Sequence, residues 1–309
     1  MNYSNRRTFL KQTTGLVGIA FAGTAFNFPK TNTQPLLSFS TLGCPDWDFQ
    51  RIVDFAAKNN YHGIEVRGIK RELNLPNCPE FNSPKNILAS RKLVEDKGLK
   101  FIGLGSSAAL HYSDLTERNK NLDEAKRFID LAQQLNCPYV RVFPNNFPKG
   151  VDKTQVIDLI SEGLLELGDY AKDRNVKVLL ESHGAVVHSD DLSKIMKSAK
   201  HSNVGMIWDI VNMWDKTKES PVKVYEVLKD YIDHTHIKDM KIVEGKIQYT
   251  FLGKGETPVF EAIDTLAKSG YKGYYSFEWE KMWHPELEEP EFALQDYPKV
   301  MNDHFKKMI

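Results

Sequence analysis

The 309 residues are 41% apolar and 27% charged, the balance of an ordinary water-soluble chain with material for one large domain or two small ones. Lysine plus arginine equals aspartate plus glutamate at 41 each, so no surplus positive charge exists to neutralise a phosphate backbone, which excludes nucleic acid as the expected partner. The three cysteines, Cys44, Cys78 and Cys137, are odd in number and lack C-x-x-C spacing, which argues against a disulfide framework or a thiolate zinc site.

The chain opens with Asn5-Arg6-Arg7-Thr8-Phe9-Leu10-Lys11, followed by an apolar, small-residue run at 15–26, with no acidic residue before Asp46. That is the layout of a secretory signal peptide, and the paired arginines resemble the twin-arginine type. The run is shorter than the ~20 residues that cross a bilayer, and Gly15, Gly18 and Gly23 interrupt it. Residues 1–30 are therefore expected to be a cleaved address, with 31–309 an exported, periplasmic domain that keeps no stable hold on the membrane.

Beyond Leu36, short apolar or β-branched runs alternate with stretches of helical period. The runs predict strands at 37–41, 63–67, 100–104, 139–143, 177–181, 205–209, 234–237 and 273–278. Between the third and fourth, Ala125, Phe128, Ile129, Ala132 and Leu135 recur at helical steps. Between the fourth and fifth, Val156, Ile157, Ile160, Leu164, Leu167 and Ala171 form a second such stripe. Small turn signals (Lys97-Gly98, Asn136-Cys137-Pro138, Ser269-Gly270) introduce several strands. Eight βα units in about 275 residues are the size of a single-domain α/β protein, a (β/α)8 TIM barrel. An open doubly wound sheet would be the rival, but no Gly-x-Gly-x-x-Gly follows the first strand.

In such a barrel the carboxyl ends of the strands share one mouth, so polar residues there carry the chemistry. The fifth, sixth and eighth predicted strands run into Glu181, Asp209 and Glu278, and the seventh carries His236. Three carboxylates and one imidazole brought together repel one another and lose solvation, which a divalent cation relieves most simply. An oxygen-rich set with one nitrogen suits Mn²⁺ or Mg²⁺ and also admits Zn²⁺, Co²⁺ or Fe²⁺. Taken alone, an acidic residue at a strand end is as often the N-cap of the next helix; it is the set of four that points to a metal.

With these motifs in hand, the sequence resembles the sugar phosphate isomerase/epimerase family of xylose-isomerase-like barrels. The resemblance rests on Gly63-Ile64-Glu65-Val66-Arg67, Tyr139-Val140-Arg141-Val142-Phe143, Leu180-Glu181-Ser182-His183-Gly184, Trp208-Asp209, His236-Ile237-Lys238-Asp239, Leu252-Gly253-Lys254-Gly255-Glu256 and the 273–280 run ending Glu278-Trp279-Glu280. It implies metal binding by Glu181, Asp209, His236 and Glu278, with the two glutamates also handling a substrate proton from opposite faces. It implies a sugar isomerase or epimerase of carbohydrate metabolism, acting through an enediolate on a small-molecule sugar or glycoside. A lyase or hydratase acting on 3-keto-glycosides would need the same metal and base. Where ketohexose epimerases carry a second glutamate, a histidine and an arginine, this chain has Val187, Asn212 and Ile242. His183, His188, Lys238, Arg67 and Arg141 are the candidates to contact substrate instead. Of the aromatic run after Glu278, Trp279 and His284 are expected at the site and Trp283 in packing. The related abasic-site endonuclease would need a richer histidine cluster and a positive DNA-binding face; a non-catalytic sugar-binding protein would have no use for three clustered carboxylates. The sequence leaves a homo-oligomer open.

Overall fold

Short, buried, parallel strands separated by amphipathic helices close on themselves here, because each strand pairs with one neighbour on either side until the last meets the first. The computed structural model describes residues 34–308; the expected signal segment, 1–30, lies outside the described residues. In chain order the elements are β1 (Leu36–Ser40), α1 (Phe49–Lys58), β2 (Gly63–Val66), α2 (Pro84–Asp96), β3 (Lys100–Ala109), α3 (Leu115–Leu135), β4 (Tyr139–Phe143), α4 (Lys153–Ala171), β5 (Lys177–Glu181), α5 (Ser189–Ser198) and β6 (Val204–Asp209). They continue with α6 (Ile210–Thr217), α7 (Pro221–Leu228), β7 (Ile232–Ile237), β8 (Asp239–Val243), β9 (Lys246–Thr250), α8 (Val259–Lys268), β10 (Tyr274–Phe277) and α9 (Pro290–Lys307). The closed ring runs β1-β10-β7-β6-β5-β4-β3-β2, parallel throughout. This is the expected (β/α)8 barrel, and all eight predicted strands are its staves.

Local chemistry sets the boundaries. Asp48, Ser83, Asp114, Asp152 and Ser220 stand before α1, α2, α3, α4 and α7, each accepting from a backbone N–H of the first turn, worth about 1 kcal/mol apiece. The two stripes read from the sequence on α3 and α4 are buried against the sheet. Asn136 ends α3 in the left-handed region, which its short polar side chain tolerates.

One pair of strands was not anticipated. β8 and β9 form an antiparallel hairpin outside the ring, turning at Glu244 and Gly245, both at positive φ, as a two-residue hairpin turn requires. Asp239 anchors its base. One carboxylate oxygen accepts from the N–H groups of Gly253 and Gly255 at 2.9 Å each, and the other from Met240 at 2.9 Å. The Leu252-Gly253-Lys254-Gly255-Glu256 motif is thus a loop wrapped around a buried carboxylate. A Cβ on Gly255 would sit 2.1 Å from Asp239 Oδ1 and 2.4 Å from the Met240 carbonyl. Gly255→Ala is expected to destabilise the protein by about 2–4 kcal/mol through overpacking and a broken buried network, read as a lower urea midpoint. A change under ~0.5 kcal/mol, the range of ordinary surface substitutions, would contradict this role.

Candidate metal centre and active site

Four adjacent staves of the ring, β5, β6, β7 and β10, bring Glu181, Asp209, His236 and Glu278 together at the barrel mouth. All four are 3% exposed or less, and one potential ligand atom from each lies within 4.8 Å of the others. Around His236 Nδ1 stand Glu278 Oε1 at 3.4 Å, Glu181 Oε1 at 3.6 Å and Asp209 Oδ2 at 3.9 Å. These separations are long for hydrogen bonds. They fall in the range for donors sharing one octahedral ion at about 2.1 Å, whose mutual spacing runs from roughly 3.0 Å for neighbours to roughly 4.2 Å for opposite donors. His236 Nδ1 and Asp209 Oδ2 are buried polar atoms without a hydrogen-bond partner, as expected of side chains built to hold a cation.

The outer atom of each ligand is pinned by the protein. Glu181 Oε2 accepts from Arg141 Nη1 at 2.9 Å, and Asp209 Oδ1 caps α6 by accepting from the Asn212 N–H at 2.8 Å. Glu278 Oε2 accepts from Lys238 Nζ at 2.7 Å, while His236 Nε2 meets both oxygens of Glu65 at 3.0 and 3.1 Å. A carboxylate against Nε2 keeps the proton there and turns Nδ1 inward as the donor. Glu65 also meets His234 Nε2 at 3.0 Å and accepts from Ser276 Oγ at 3.1 Å. Its side chain lies over Gly103, where a Cβ would come within 3.3 Å of Glu65 Cγ.

The protein also sets its own positive charges against the carboxylates. Burial alone would lower the His236 pKa, but Glu278, Glu65 and Glu181 outweigh it and hold the imidazole well above its ordinary value. Lys238, also buried, is likewise raised by Asp209, Glu278 and Glu280. Its Nζ lies 2.6 Å from Glu280 Oε1 and 2.8 Å from Asp209 Oδ2, the last contact lacking the alignment of a hydrogen bond. Burial raises Asp209, reinforced by Glu278 and Glu181 against the pull of Lys238. Glu181 goes the other way, because Arg141 and His236 overcome its burial and hold it below the usual carboxylate range.

A cavity of about 390 Å³ opens onto this centre, lined by Arg67, Arg141, His183, Lys238, Glu280 and His284 among others. His183 meets Asn145 Oδ1 through Nδ1 at 3.0 Å and packs on Phe143. Asn212, which stands where a histidine was looked for, also lines the cavity and donates to the Ser182 carbonyl at 3.2 Å. Two expected residues do not reach the cavity. His188 is exposed at the start of α5. Trp279 is 2% exposed, its Nε1 donating to the Glu288 carbonyl at 3.0 Å and its ring stacked on Phe277; it serves the packing expected of Trp283. Trp283, at 52% exposure, is the indole that faces the cavity. Glu65, Glu280, Tyr249 and Trp283 were missed by sequence reasoning. For Glu65 and Glu280 the available signal was a charged residue within or just after an apolar strand.

Residues 53–303 match the xylose isomerase-like TIM barrel family. The chain belongs to this family. Among its relatives, the inosose isomerase of Halalkalibacterium halodurans is 22% identical over 73% of this chain and 80% of its own. The fructoselysine 3-epimerase of Shigella flexneri is 22% identical over 72% and 82%, and an inosose dehydratase of Clostridium botulinum 24% over 69% and 79%. The solved IOLI protein, which carries a bound zinc atom, superposes with a TM-score of 0.74 at 19% identity, covering 88% of this chain and 99% of that one. Relatives named isomerase, epimerase and dehydratase make this family member an enzyme.

Two outcomes follow for metal binding. Glu65→Gln is expected to weaken Mn²⁺ affinity about 10–100-fold in calorimetric titration of a protein that keeps its far-UV spectrum; unchanged affinity would contradict the clamp. Because the pKa values of His236 and Asp209 are both raised, metal uptake at neutral pH should be accompanied by net proton release. Affinity should then fall as pH drops, and the proton count can be read from binding enthalpies in buffers of different ionisation heat.

Proposed function

We propose that this protein is a divalent-metal-dependent isomerase or epimerase of a small sugar-like carbonyl compound, removing a proton from the carbon between a carbonyl and a hydroxyl. The observation that carries this reading is the convergence of four buried donor atoms, two of them without a hydrogen-bond partner, at the mouth of a substrate-sized cavity. Glu181, Asp209, His236 and Glu278 would hold a divalent cation there, which would supply positive charge against the negative charge that develops when that proton departs.

The chain's own residues supply the rest. Glu181 and Glu278 come from staves separated by two others, so each approaches the cavity from its own side. One can take the proton while the other returns it to the opposite face. Arg141 keeps Glu181 ionised and oriented; Lys238 orients Glu278 through its outer oxygen. His183, Asn212 and Trp283 line the remaining wall, where hydroxyl groups and one face of a sugar ring would be received.

A second reading, a carbon–oxygen lyase acting on a 3-keto-glycoside, is favoured by one feature. The Lys238 ammonium is a buried proton donor beside the centre, which a departing oxygen needs and epimerisation between two carboxylates does not.

The test is solvent deuterium incorporation into ketoses and into a 3-keto-glycoside by the Mn²⁺-loaded protein, with aglycone release followed alongside. Exchange should occur, and Glu181→Gln and Glu278→Gln should each reduce its rate at least about 100-fold. Exchange without aglycone release selects the isomerase reading, and release selects the lyase. Absence of exchange with every carbonyl substrate, or full activity in both variants, would refute the shared mechanism.

A further inference from the structure

The cavity above the candidate metal centre also holds a buried positive charge that no carboxylate pairs with directly. Arg67 follows directly on β2, is 6% exposed and lines the cavity. Its Nη1 donates to the Gly105 carbonyl at 3.2 Å and its Nη2 to Ser107 Oγ at 2.9 Å, which leaves most of its five N–H donors unclaimed. Among the described residues, no Asp or Glu oxygen lies within 4.0 Å of it, whereas Arg141 and Lys238 each have such a partner. Glu124, Glu181 and Glu278 act on Arg67 from farther off; Glu124 spends Oε1 on the Ser107 N–H at 2.6 Å and lies outside the cavity lining, while Glu181 and Glu278 are paired with Arg141 and Lys238.

A second arginine makes the arrangement more costly. Arg67 and Arg141 pass side by side over Gly105, where a Cβ would fall 2.8 Å from Arg67 Cδ and 3.1 Å from Arg141 Nη2. Arg141 uses Nη1 on Glu181 and Nη2 on the Ser106 carbonyl, and its Nε is buried with no partner. A buried guanidinium with no carboxylate in contact, packed against a second guanidinium, is unfavourable. Burial and the Arg141 charge accordingly lower the Arg67 pKa to about 9. A carboxylate from a ligand would relieve that cost, and the planar fork of N–H groups fits a carboxylate with two parallel hydrogen bonds.

We propose that Arg67 receives a substrate carboxylate, so that the enzyme acts on a keto-sugar acid in preference to a neutral ketose. This rests on the proton-transfer reading above and adds the substrate class to it. The geometry of the ring supports the placement: β2 stands opposite β6 in the ring and is parted from the four ligand-bearing staves by β1 on one side and by β3 and β4 on the other. A substrate lying across the mouth can present its carbonyl end to the metal centre and its charged end to Arg67.

The probes are two pairs differing only at the terminal carbon: D-fructose with D-fructuronate, and D-tagatose with D-tagaturonate. Calorimetric binding to the Mn²⁺-loaded protein should favour the acid in at least one pair by about tenfold or more, with the preference shrinking as salt rises. In Arg67→Gln the acid-over-neutral ratio should collapse toward one, and Arg67→Lys should restore part of it. Equal or tighter binding of the neutral member in both pairs overturns the proposal, as does failure of either acid to bind at millimolar concentration. An undiminished ratio in Arg67→Gln does so too. The wild-type ratio stands as a test even if a variant misfolds. Deuterium exchange on the same four compounds separates the two readings. Exchange without preference for the acids leaves the metal-dependent mechanism standing and removes this proposal; acid-selective binding without exchange does the reverse.

Discussion

Everything at the barrel mouth is arranged around the mutual repulsion of three buried carboxylates. At the spacing observed, each pair of unit charges repels by roughly 3–4 kcal/mol at an effective dielectric of about 20, and burial adds a desolvation cost for each. The protein holds the groups in place by giving every ligand a separate outer partner: Arg141 for Glu181, the α6 N-terminus for Asp209, Glu65 for His236 and Lys238 for Glu278. The inner atoms are left facing a common centre that only a cation can satisfy in full. The raised pKa values of His236 and Lys238 are the protein's own response to that concentration of negative charge.

The fold is what makes such a concentration of charge affordable. Parallel staves buried on both faces allow polar side chains only near their carboxyl ends, and closure of the ring turns those ends toward one another. Gly103 and Gly105, alternate residues of β3 and so on one face of the strand, leave out the side chains that would collide with Glu65 and with the two arginines. The same strand thus clears space for the clamp beneath the metal centre and for the cationic wall above it.

Much of this was legible in the sequence, for a physical reason. The barrel follows from apolar runs alternating with helical stripes, and Glu181, Asp209, His236 and Glu278 could be read because strand ends are where the barrel permits charge. Glu65 was visible only as part of a motif, since its partners are 169 and 171 residues away and a strand interior gives no hint of what it faces across the barrel. Asp209 illustrates why single residues mislead: it is both an N-cap and a candidate ligand, one oxygen for each role. The hairpin of β8 and β9 had a turn signal in Glu244-Gly245, but it interrupts the regular alternation on which the reading relied. Trp279 and Trp283 exchanged their expected places because what decides between them is the segment leading into α9, whose Glu288 carbonyl accepts the Trp279 indole N–H. Local sequence holds no record of that contact.

Two candidate groups share His236: the four-residue set at Nδ1, and a smaller set of Glu65, His234 and His236. Hydrogen-bond distances of 3.0–3.1 Å fill the smaller set, which leaves the larger as the candidate cation site. An anomalous-difference map from a Mn²⁺-soaked crystal tests this most directly. The account predicts one strong peak within bonding distance of Glu181 Oε1, Asp209 Oδ2, His236 Nδ1 and Glu278 Oε1. A peak between Glu65 and His234, or no peak at the barrel mouth at saturating metal, would contradict it.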